Sequence, residues 1–295
     1  MSVPWRVLDF CEYSGRVTSS EGFVHIQDSH VALADIAVML VGIDVDLHSS
    51  VFDRAATFGI PILHCDWKGV PTSATLPWSD NTRVAARHVA QAALELPRRK
   101  NAWMRIVKAK IKGQAVNLTP VSSDCVEYLN GLAMKVRSGD PSNCEGQAAR
   151  YYWRRVFHDP QFRRLAGSRQ GANGMLDYGY SIIRGVALRC VVSAGLWPSL
   201  GIWHHNRSNC FALVDDVMEP FRPAVDAGVC KLLSRSSVLD REGKRLLSGV
   251  LDRPYSPGGY TVGTEIGHLA QKLARYVEGD VKTLDVAQFG GWDET

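Results

Sequence analysis

The sequence predicts an α+β protein with a small β-rich N-terminal domain, residues 1–78, followed by a larger all-α C-terminal domain, residues 79–295. Apolar residues in the first part occur in short runs bounded by turn residues, whereas from residue 84 onward they recur at helical spacing. The charge also changes sign, because residues 1–78 contain 4 Lys/Arg and 9 Asp/Glu and the remaining residues contain 30 and 21. A chain of 295 residues is long enough to form two domains with buried cores.

The first domain should consist mainly of short strands with one helix. Residues 36–45 are almost continuously apolar, as expected for a strand that is buried on both faces. Residues 49–59 begin with serine, carry apolar residues at helical spacing and end in glycine, which predicts a short helix with a serine cap. Residues 69–77 are rich in turn residues, so we expect a loop there. Further strands are predicted at residues 6–12, 22–27 and 60–65.

The second domain should be built from amphipathic helices, because apolar residues recur every three or four positions through most of it. Pro220 lacks a backbone N–H group and should bend or interrupt the helix in which it lies. The predicted helices cover residues 84–96, 101–118, 121–137, 145–157, 174–194, 212–233, 242–251 and 264–278.

The composition is that of an ordinary globular protein, with 45% hydrophobic and 22% charged residues. Neither an apolar run of the ~20 residues that span a bilayer nor a signal-peptide pattern is present, so we expect a cytoplasmic protein without a membrane partner. The seven cysteines include no Cys-x-x-Cys pair, which argues against a disulfide framework or a thiolate zinc site. The positive second part favours a polyanion such as DNA, although proteins that never bind nucleic acid also show such an excess.

Glu145 is the first candidate site residue. In a helix it shares a face with Ala148, Ala149 and Tyr152, and this face is otherwise small and apolar. A carboxylate that faces inward needs a partner, and a metal ion is one such partner. The alternative is a first-turn glutamate that the helix dipole stabilises.

Two adjacent histidines, His204 and His205, are the second candidates. They cannot both point the same way from an extended segment, so at most one should face a site shared with Glu145. A neutral imidazole can ligate a transition metal or act as a general base. A turn histidine bonded to the backbone is the alternative, and the pattern does not choose between the two residues.

The third candidate is an acidic cluster formed by Asp215, Asp216 and Glu219. Asp216 and Glu219 are three residues apart and share a helix face, and Asp215 nearly does. Like charges at this spacing destabilise a helix unless a cation or an arginine lies among them. Arg222 offers the alternative explanation, since it can simply pair with one of these acids.

Arginines and aromatic residues alternate after Glu145. Residues 141–170 contain six arginines, and this combination suits phosphate contacts and base stacking. A solvated helix face above core aromatic residues is the alternative. The side chains that we expect to contact DNA are Arg150, Arg154, Arg155, Arg163 and Arg164.

Five stretches of the second domain closely resemble the CRISPR-associated integrase of the spacer-acquisition machinery, in its type II form. They cover most of the helical domain in the family's order, and the β-rich start and residues 60–66 also fit. One departure is Asp177, where type II relatives usually have asparagine. The stretches are Lys110-Ile-Lys-Gly-Gln-Ala, Cys144-Glu-Gly-Gln-Ala-Ala-Arg-Tyr-Tyr-Trp, Asn173-Gly-Met-Leu-Asp-Tyr-Gly-Tyr-Ser-Ile-Ile-Arg, Ala194-Gly-Leu-Trp-Pro-Ser-Leu-Gly-Ile-Trp-His-His-Asn and Asn209-Cys-Phe-Ala-Leu-Val-Asp-Asp-Val-Met-Glu-Pro-Phe-Arg-Pro.

The resemblance implies a β-domain for dimerisation and partner contacts and a helical catalytic domain. It also implies a divalent metal, Mn²⁺ or Mg²⁺, bound by Glu145, His204 and Glu219. His204 rather than His205 fits the family's glycine–apolar–apolar–histidine pattern. Asp216 stands where relatives often have an aspartate near the metal, so Asp216 and His205 are supporting candidates.

The resemblance further implies partners and a reaction. The chain would form a homodimer, and two such dimers would flank a dimer of a second adaptation protein in a heterohexamer. Its substrate would be double-stranded DNA, both a captured fragment and the CRISPR repeat, and the type II effector nuclease is a further candidate partner. A 3′-hydroxyl of the fragment would attack a phosphodiester at the repeat, in a metal-dependent endonuclease and integrase reaction. The alternatives are a metal-dependent nuclease that repairs branched DNA and a non-catalytic DNA-binding scaffold.

Overall fold

The computed structural model describes residues 6–77, 82–168 and 170–292. Within these residues, eight strands and one helix precede nine further α-helices, so the α+β prediction is confirmed. The predicted domain boundary between residues 78 and 79 lies outside the described residues. None of the described helices is long and apolar enough to cross a membrane.

The strands are β1 (Arg6–Phe10), β2 (Gly15–Ser20), β3 (Phe23–Ile26), β4 (Ser29–Ala32), β5 (Ile36–Val41), β6 (Val45–Leu47), β7 (Ile62–Cys65) and β8 (Pro71–Thr75). The helices are α1 (Ser49–Thr57), α2 (Val84–Ala92), α3 (Leu96–Asn117), α4 (Ser123–Lys135), α5 (Cys144–Trp153), α6 (Gly171–Ser193), α7 (Ala212–Met218), α8 (Arg222–Leu233), α9 (Arg241–Ser248) and α10 (Val262–Glu278).

The strands form two four-stranded sheets. The first has the order β1-β5-β7-β8, in which β5 is parallel to both β1 and β7, and β8 is antiparallel to β7. The second has the order β4-β3-β2-β6. The chain leaves the first sheet after β1 and builds β2, β3 and β4 of the second. It returns to the first sheet for β5, crosses to the second for β6, and completes the first with β7 and β8.

Strand β5 is buried along its whole length because it lies between two layers. Met39 and Val41 belong to the core between the two sheets. Val38 and Leu40 belong to the core of the helical domain. The apolar run therefore reflects a strand covered on both faces, and the predicted buried strand is confirmed, although it ends at Val41.

Four short strands were not predicted, namely β2, β4, β6 and β8. The expectation of a loop at residues 69–77 is wrong, because β8 lies there and pairs with β7. Three of the four are edge strands of their sheets, where polar and exposed residues weaken the alternating pattern. The predicted serine cap of α1 is also wrong, because His48 is the N-cap residue.

Helix α6 joins the sheets to the helices that carry the site. Gly185 approaches β5 so closely that a Cβ atom there would lie 2.9 Å from a methyl group of Val38, which explains the need for glycine. Arg189 donates hydrogen bonds to the carbonyl oxygens of Ile36 and Phe58 at 2.7 and 3.1 Å. Helix α6 also packs against α7, α8 and α10. Through its contacts with α6, the first sheet therefore supports the helices that carry the site.

The predicted interruption at Pro220 is confirmed. Residues 212–233 were expected to form one helical segment, and the structure divides them into α7, a 3-10 turn at Glu219–Phe221, and α8. Proline cannot donate the backbone hydrogen bond that a continuous α-helix requires. The interruption places Glu219 at the start of a turn rather than in the middle of a helix face.

Candidate metal centre

Two carboxylates from distant parts of the chain meet at one lysine. Nζ of Lys110, in α3, lies 2.6 Å from Oε1 of Glu145 and 2.6 Å from Oε2 of Glu219. The side chains of Lys110 and Glu219 are only 12% and 5% exposed, so their charges interact with little screening by solvent. The structure therefore brings together two of the three predicted ligands.

The first turn of α5 is held by capping side chains. Asn143 is the N-cap residue, with a φ of 49°, and its side chain accepts a hydrogen bond from the Gly146 N–H at 3.1 Å. Asp140 accepts from the N–H groups of Cys144 and Glu145, each at 2.9 Å. Glu145 is thus a first-turn glutamate, as the alternative interpretation expected, and its side chain also reaches the site.

Glu219 is held as a buried anion. Nε of Arg222 donates to its Oε1 at 2.8 Å, so the arginine pairing considered in the sequence is present as well. Burial opposes ionisation, but the charges of Arg222 and Lys110 outweigh it and lower the pKa of Glu219 to about 2. The carboxylate is therefore ionised at neutral pH, which is the form that binds a cation.

His204 is oriented by Asp216. Oδ1 of Asp216 lies 2.7 Å from Nδ1 of His204, and the carboxylate also accepts the N–H groups of Ile202, Trp203 and His204 at 2.6, 3.0 and 3.1 Å. The hydrogen bond to Asp216 raises the pKa of His204. Because Nδ1 carries the donated proton, Nε2 of the neutral ring keeps a lone pair for a ligand.

The loop that carries His204 depends on a glycine and a tryptophan pair. A Cβ atom on Gly201 would lie well under 3.0 Å from the carbonyl oxygen of His204, so a larger residue would force this turn open. The rings of Trp103 and Trp203 stack with centroids 5.6 Å apart, and Trp103 contacts His204 edge-on at 5.5 Å. Tertiary packing thus fixes both the backbone and the ring.

The remaining candidates face elsewhere. His205 is exposed, and its Nδ1–H donates to the carbonyl oxygen of Trp203 at 2.7 Å, which makes it the turn histidine of the alternative interpretation. Asp215 is paired with Arg184 at 3.0 Å and accepts from Asn209 at 2.7 Å. The acids of the cluster therefore have different contacts, although their spacing is similar.

The residues at this centre fit a hard divalent cation. Two carboxylates and an imidazole are donors that Mn²⁺ accepts, and carboxylate oxygens suit Mg²⁺. Oε2 of Glu219 is buried and accepts no hydrogen bond of good geometry from the described residues, although Lys110 lies 2.6 Å away. Within the described part of the chain no three His, Cys, Asp or Glu side chains form a ready cage. Lys110 occupies the space between the two glutamates.

The chain matches the family model described as CRISPR associated protein Cas1 over residues 16–251. The chain belongs to the Cas1 family. A CRISPR-associated endonuclease Cas1 from Neisseria meningitidis is 32% identical, over 77% of this chain and 76% of its own length. The family predicted from the sequence motifs is therefore confirmed.

Solved structures show the same fold. One chain of a Cas6-RT-Cas1–Cas2 complex aligns with a TM-score of 0.74 and 17% identity, over 100% of this chain and 37% of that chain. A casposase bound to an integration product aligns with a TM-score of 0.73 and 20% identity, over 96% and 92%. The arrangement of a β-rich region followed by helices is therefore the architecture of the Cas1 family.

The arginines predicted to contact DNA divide into two groups. Arg150, Arg154 and Arg163 are exposed and available to a ligand in solution. Arg155 is half-buried and lies over the ring of Tyr151, with its guanidinium carbon 3.5 Å from the ring centroid. Arg164 is also half-buried.

Asp177, the departure from the Cas1 type II pattern, has a structural partner. Its carboxylate pairs with Arg164 and accepts the N–H group of Gly167 at 2.7 Å. Arg164 also donates to Asn173 at 3.1 Å. These bonds tie the segment after α5 to the start of α6, so Arg164 contributes to the position of this segment.

Two features of the centre escaped the sequence analysis. Lys110 was noted only as part of a family stretch, since a lysine on an amphipathic helix normally indicates a solvent face. Gly201 was noted only as part of the histidine pattern. The one available signal for Lys110 was its place among apolar neighbours, because Val107 and Ile111 of the same helix are fully buried.

Proposed function

We propose that this Cas1-family chain is a divalent-metal-dependent DNA endonuclease and integrase, which inserts captured DNA fragments as new spacers at CRISPR repeats of a type II system. The observation that supports it most directly is the meeting of Glu145 and Glu219 at Lys110, within electrostatic range of the oriented His204. The Neisseria relative is named an endonuclease, and the casposase of similar fold is bound to an integration product.

Glu145, His204 and Glu219 would hold Mn²⁺ or Mg²⁺. When bound, the cation would supply Lewis-acid activation of the scissile phosphate and offset its developing negative charge. Asp216 keeps Nδ1 of His204 protonated, so that Nε2 presents its lone pair. Arg222 holds Glu219 ionised and in place from 2.8 Å. His205 would not take part, because its ring faces solvent.

The proposed integration step exchanges one phosphodiester for another. The 3′-oxygen of the fragment forms a bond to a phosphorus atom at the repeat boundary, and the bond from that phosphorus to the 3′-oxygen of the repeat strand breaks. The attacking hydroxyl releases its proton to solvent, and the leaving oxygen takes one from solvent. With water as the nucleophile, the same exchange is endonucleolytic hydrolysis. Lys110 reduces the negative charge that an approaching phosphate meets between the two glutamates.

The proposal includes DNA and protein partners. We assign phosphate contacts to Arg150, Arg154 and Arg163, which are exposed beyond the first turn of α5. We assign dimerisation and partner contacts to residues 1–78 and catalysis to residues 79–295. A homodimer and a second adaptation protein are the expected assembly, and the Cas1–Cas2 complex among the solved structures supports the latter. The type II effector nuclease is a further candidate partner.

A strand-transfer assay tests the proposal. It measures insertion of a labelled duplex into a plasmid that carries a CRISPR repeat, with the partner protein and Mn²⁺ or Mg²⁺ supplied. Glu145→Ala and His204→Ala should abolish transfer, whereas the matched variant His205→Ala should retain it, because His205 bonds only a loop carbonyl. If Glu145→Ala and His204→Ala both transferred strands at the wild-type rate, the assignment of these residues to the metal centre would be wrong. Cleavage of branched DNA without insertion at the repeat would favour the repair nuclease. Tight DNA binding that ignores metal and chelator would favour the scaffold.

A further inference from the structure

Two cysteines flank a glycine at one end of the first sheet. The last paired positions of β1, β5 and β7 form a row, namely Phe10, Val41 and His64. The next residues of the three strands are Cys11, Gly42 and Cys65. Residues in one row point to the same face of a sheet. This face is the one covered by helices, since Cys65 belongs to the core of the helical domain and Cys11 packs against it.

Gly42 allows the two cysteines to approach each other. Strands separated by a third strand are about 10 Å apart, which is too far for a disulfide. The chain after β1 folds over Gly42, because a Cβ atom there would lie 2.5 Å from the carbonyl oxygen of Cys11. Cys11 thereby reaches the turn that follows β7, where a Cβ atom on Gly69 would lie 4.0 Å from its Sγ. The thiols of Cys11 and Cys65 hydrogen-bond to each other, and we call them the thiol pair.

The thiol pair lies where the first sheet meets α6 and α9. Asp9, two residues before Cys11, accepts a hydrogen bond from the hydroxyl of Tyr178 in α6. Its carboxylate also lies 3.6 Å from Nζ of Lys244 in α9. Cys65 is buried, whereas Cys11 is half-buried, so a small oxidant can reach the thiol pair beside Cys11. A covalent link at this point would fasten the end of the sheet that holds these two helices.

The two members of the thiol pair differ in acidity. The hydrogen bond from Cys11 lowers the pKa of Cys65, although burial acts in the opposite direction. The same hydrogen bond, together with burial, raises the pKa of Cys11. Loss of one proton from the pair therefore leaves the negative charge on Cys65, and the thiolate is the nucleophilic form of cysteine. Cys11 then supplies the second sulfur at hydrogen-bonding distance.

We propose that the thiol pair is an oxidative modification site, at which hydroperoxides convert Cys11 and Cys65 into a reversible disulfide. The Cys65 thiolate bonds to one oxygen of hydrogen peroxide, the O–O bond breaks, and the released hydroxide takes up the proton that Cys65 lost. The sulfur of Cys11 then bonds to that of Cys65, the S–O bond breaks, and the departing hydroxide leaves as water with the Cys11 proton. Two thiols and one peroxide thus give one disulfide and two waters, and the two electrons pass from sulfur to oxygen. The inference does not depend on the proposed function, because it involves neither DNA nor metal.

Peptide mapping of the full chain tests the thiol pair. Folded protein is treated with one equivalent of hydrogen peroxide, its remaining thiols are alkylated, and it is digested with trypsin without reductant. Trypsin cleaves after Arg6, Arg16, Arg54 and Lys68, so the disulfide should link the peptides 7–16 and 55–68. Dithiothreitol should separate them. The oxidised protein should also unfold at a temperature higher by on the order of 5 °C, because the link joins residues 54 positions apart and restrains the unfolded chain.

Three variants complete the test. Cys11→Ser and Cys65→Ala should lose both the linked peptides and the rise in unfolding temperature, whereas the control Cys210→Ser, at an exposed cysteine, should keep them. Cys11 is half-buried, so Cys11→Ser gives the answer even if Cys65→Ala does not fold. Oxidation of Cys210 while Cys11 and Cys65 are both recovered as free thiols would overturn the inference. So would linked peptides that occur only in covalent dimers, or sulfinic acid at either cysteine without the link.

Discussion

Nδ1 of His204 lies 2.7 Å from Oδ1 of Asp216. Asp216 has no exposed surface, and its oxygens also accept three N–H groups from residues 202–204. The same carboxylate therefore fixes both the backbone of the loop and the imidazole that the loop carries. Its lone pairs are directed at these donors, which supports a role for Asp216 in positioning His204 rather than in binding a metal directly.

Asp216→Asn should weaken metal binding more than its similar size suggests. One amide nitrogen would face backbone N–H groups that need an acceptor, so the loop and the His204 ring would lose their fixed orientation. We expect Mn²⁺ affinity and strand-transfer rate to fall by about 10–100-fold, measured by calorimetric titration and initial rates. Asp215→Asn is the control, because Asp215 is held by Arg184. Unchanged Mn²⁺ binding in Asp216→Asn would show that the pair does not orient a ligand.

Lys110→Met should tighten Mn²⁺ binding and destabilise the metal-free protein. Without the ammonium group of Lys110, the negative charges of Glu145 and Glu219 repel each other more strongly. A bound divalent cation then no longer competes with Lys110 for the two carboxylates. We expect a gain in Mn²⁺ affinity of about tenfold, equivalent to about 1.4 kcal/mol, by titration of chelator-treated protein. The unfolding midpoint without metal should fall. Lys112→Met, two residues further along α3, serves as the control, and weaker Mn²⁺ binding in Lys110→Met would contradict this account.

The sequence predicted the elements better than their contacts. The buried strand β5 and the interruption at Pro220 follow from local chemistry, namely an unbroken apolar run and a missing N–H group. Helix spacing identified Asp216 and Glu219 as equally good candidates. It could not show that the backbone N–H groups of residues 202–204 bind Asp216 alone, because this loop lies outside the helix.

The family resemblance chose His204 over His205, whereas spacing alone did not. In the structure the two histidines differ because of the turn that begins at Gly201. After this turn His204 faces Asp216, whereas His205 bonds the carbonyl oxygen of Trp203. Lys110 was missed for a related reason. Its partners, Glu145 and Glu219, lie in other segments of the chain, and the spacing of residues within one helix does not predict contacts with distant segments. The short polar edge strands were missed because their pairing is decided by neighbouring strands.

Asp226 is a buried carboxyl group that should make stability depend on pH. It accepts hydrogen bonds from the hydroxyls of Tyr152 and Tyr180 at 3.0 and 2.5 Å. Burial raises its pKa from 3.8 to about 6, although these hydrogen bonds and the charges of Arg222 and Lys110 act in the opposite direction. Because the folded state binds this proton more tightly than the unfolded chain, the contribution to stability is largest below about pH 4 and is lost as the pH rises through about 6.

Asp226→Asn should remove this pH dependence. The difference in unfolding free energy between the variant and wild type should shift in favour of the variant by on the order of 2–3 kcal/mol between about pH 4 and pH 7. Urea unfolding of both proteins in chelator, at several values in this range, measures it. Comparing the two proteins at each pH cancels the titration of all other groups, so parallel curves would contradict the assignment to Asp226.

Gly201→Ala should displace His204 while leaving most of the fold intact. The added Cβ atom would overlap the carbonyl oxygen of His204 and lie 3.1 Å from Oδ2 of Asp216, so the turn that aims the imidazole would have to open. We expect a loss in Mn²⁺ affinity of about tenfold or more and a loss in unfolding free energy of about 1–3 kcal/mol. Gly131→Ala in α4 is the matched control, because its added Cβ would meet no heavy atom within 4 Å apart from its chain neighbours and the backbone of its own helix, and it should raise stability by up to about 1 kcal/mol. Equal Mn²⁺ binding by Gly201→Ala and wild type would show that the metal centre does not depend on this turn, and the role assigned to His204 would then have to be withdrawn.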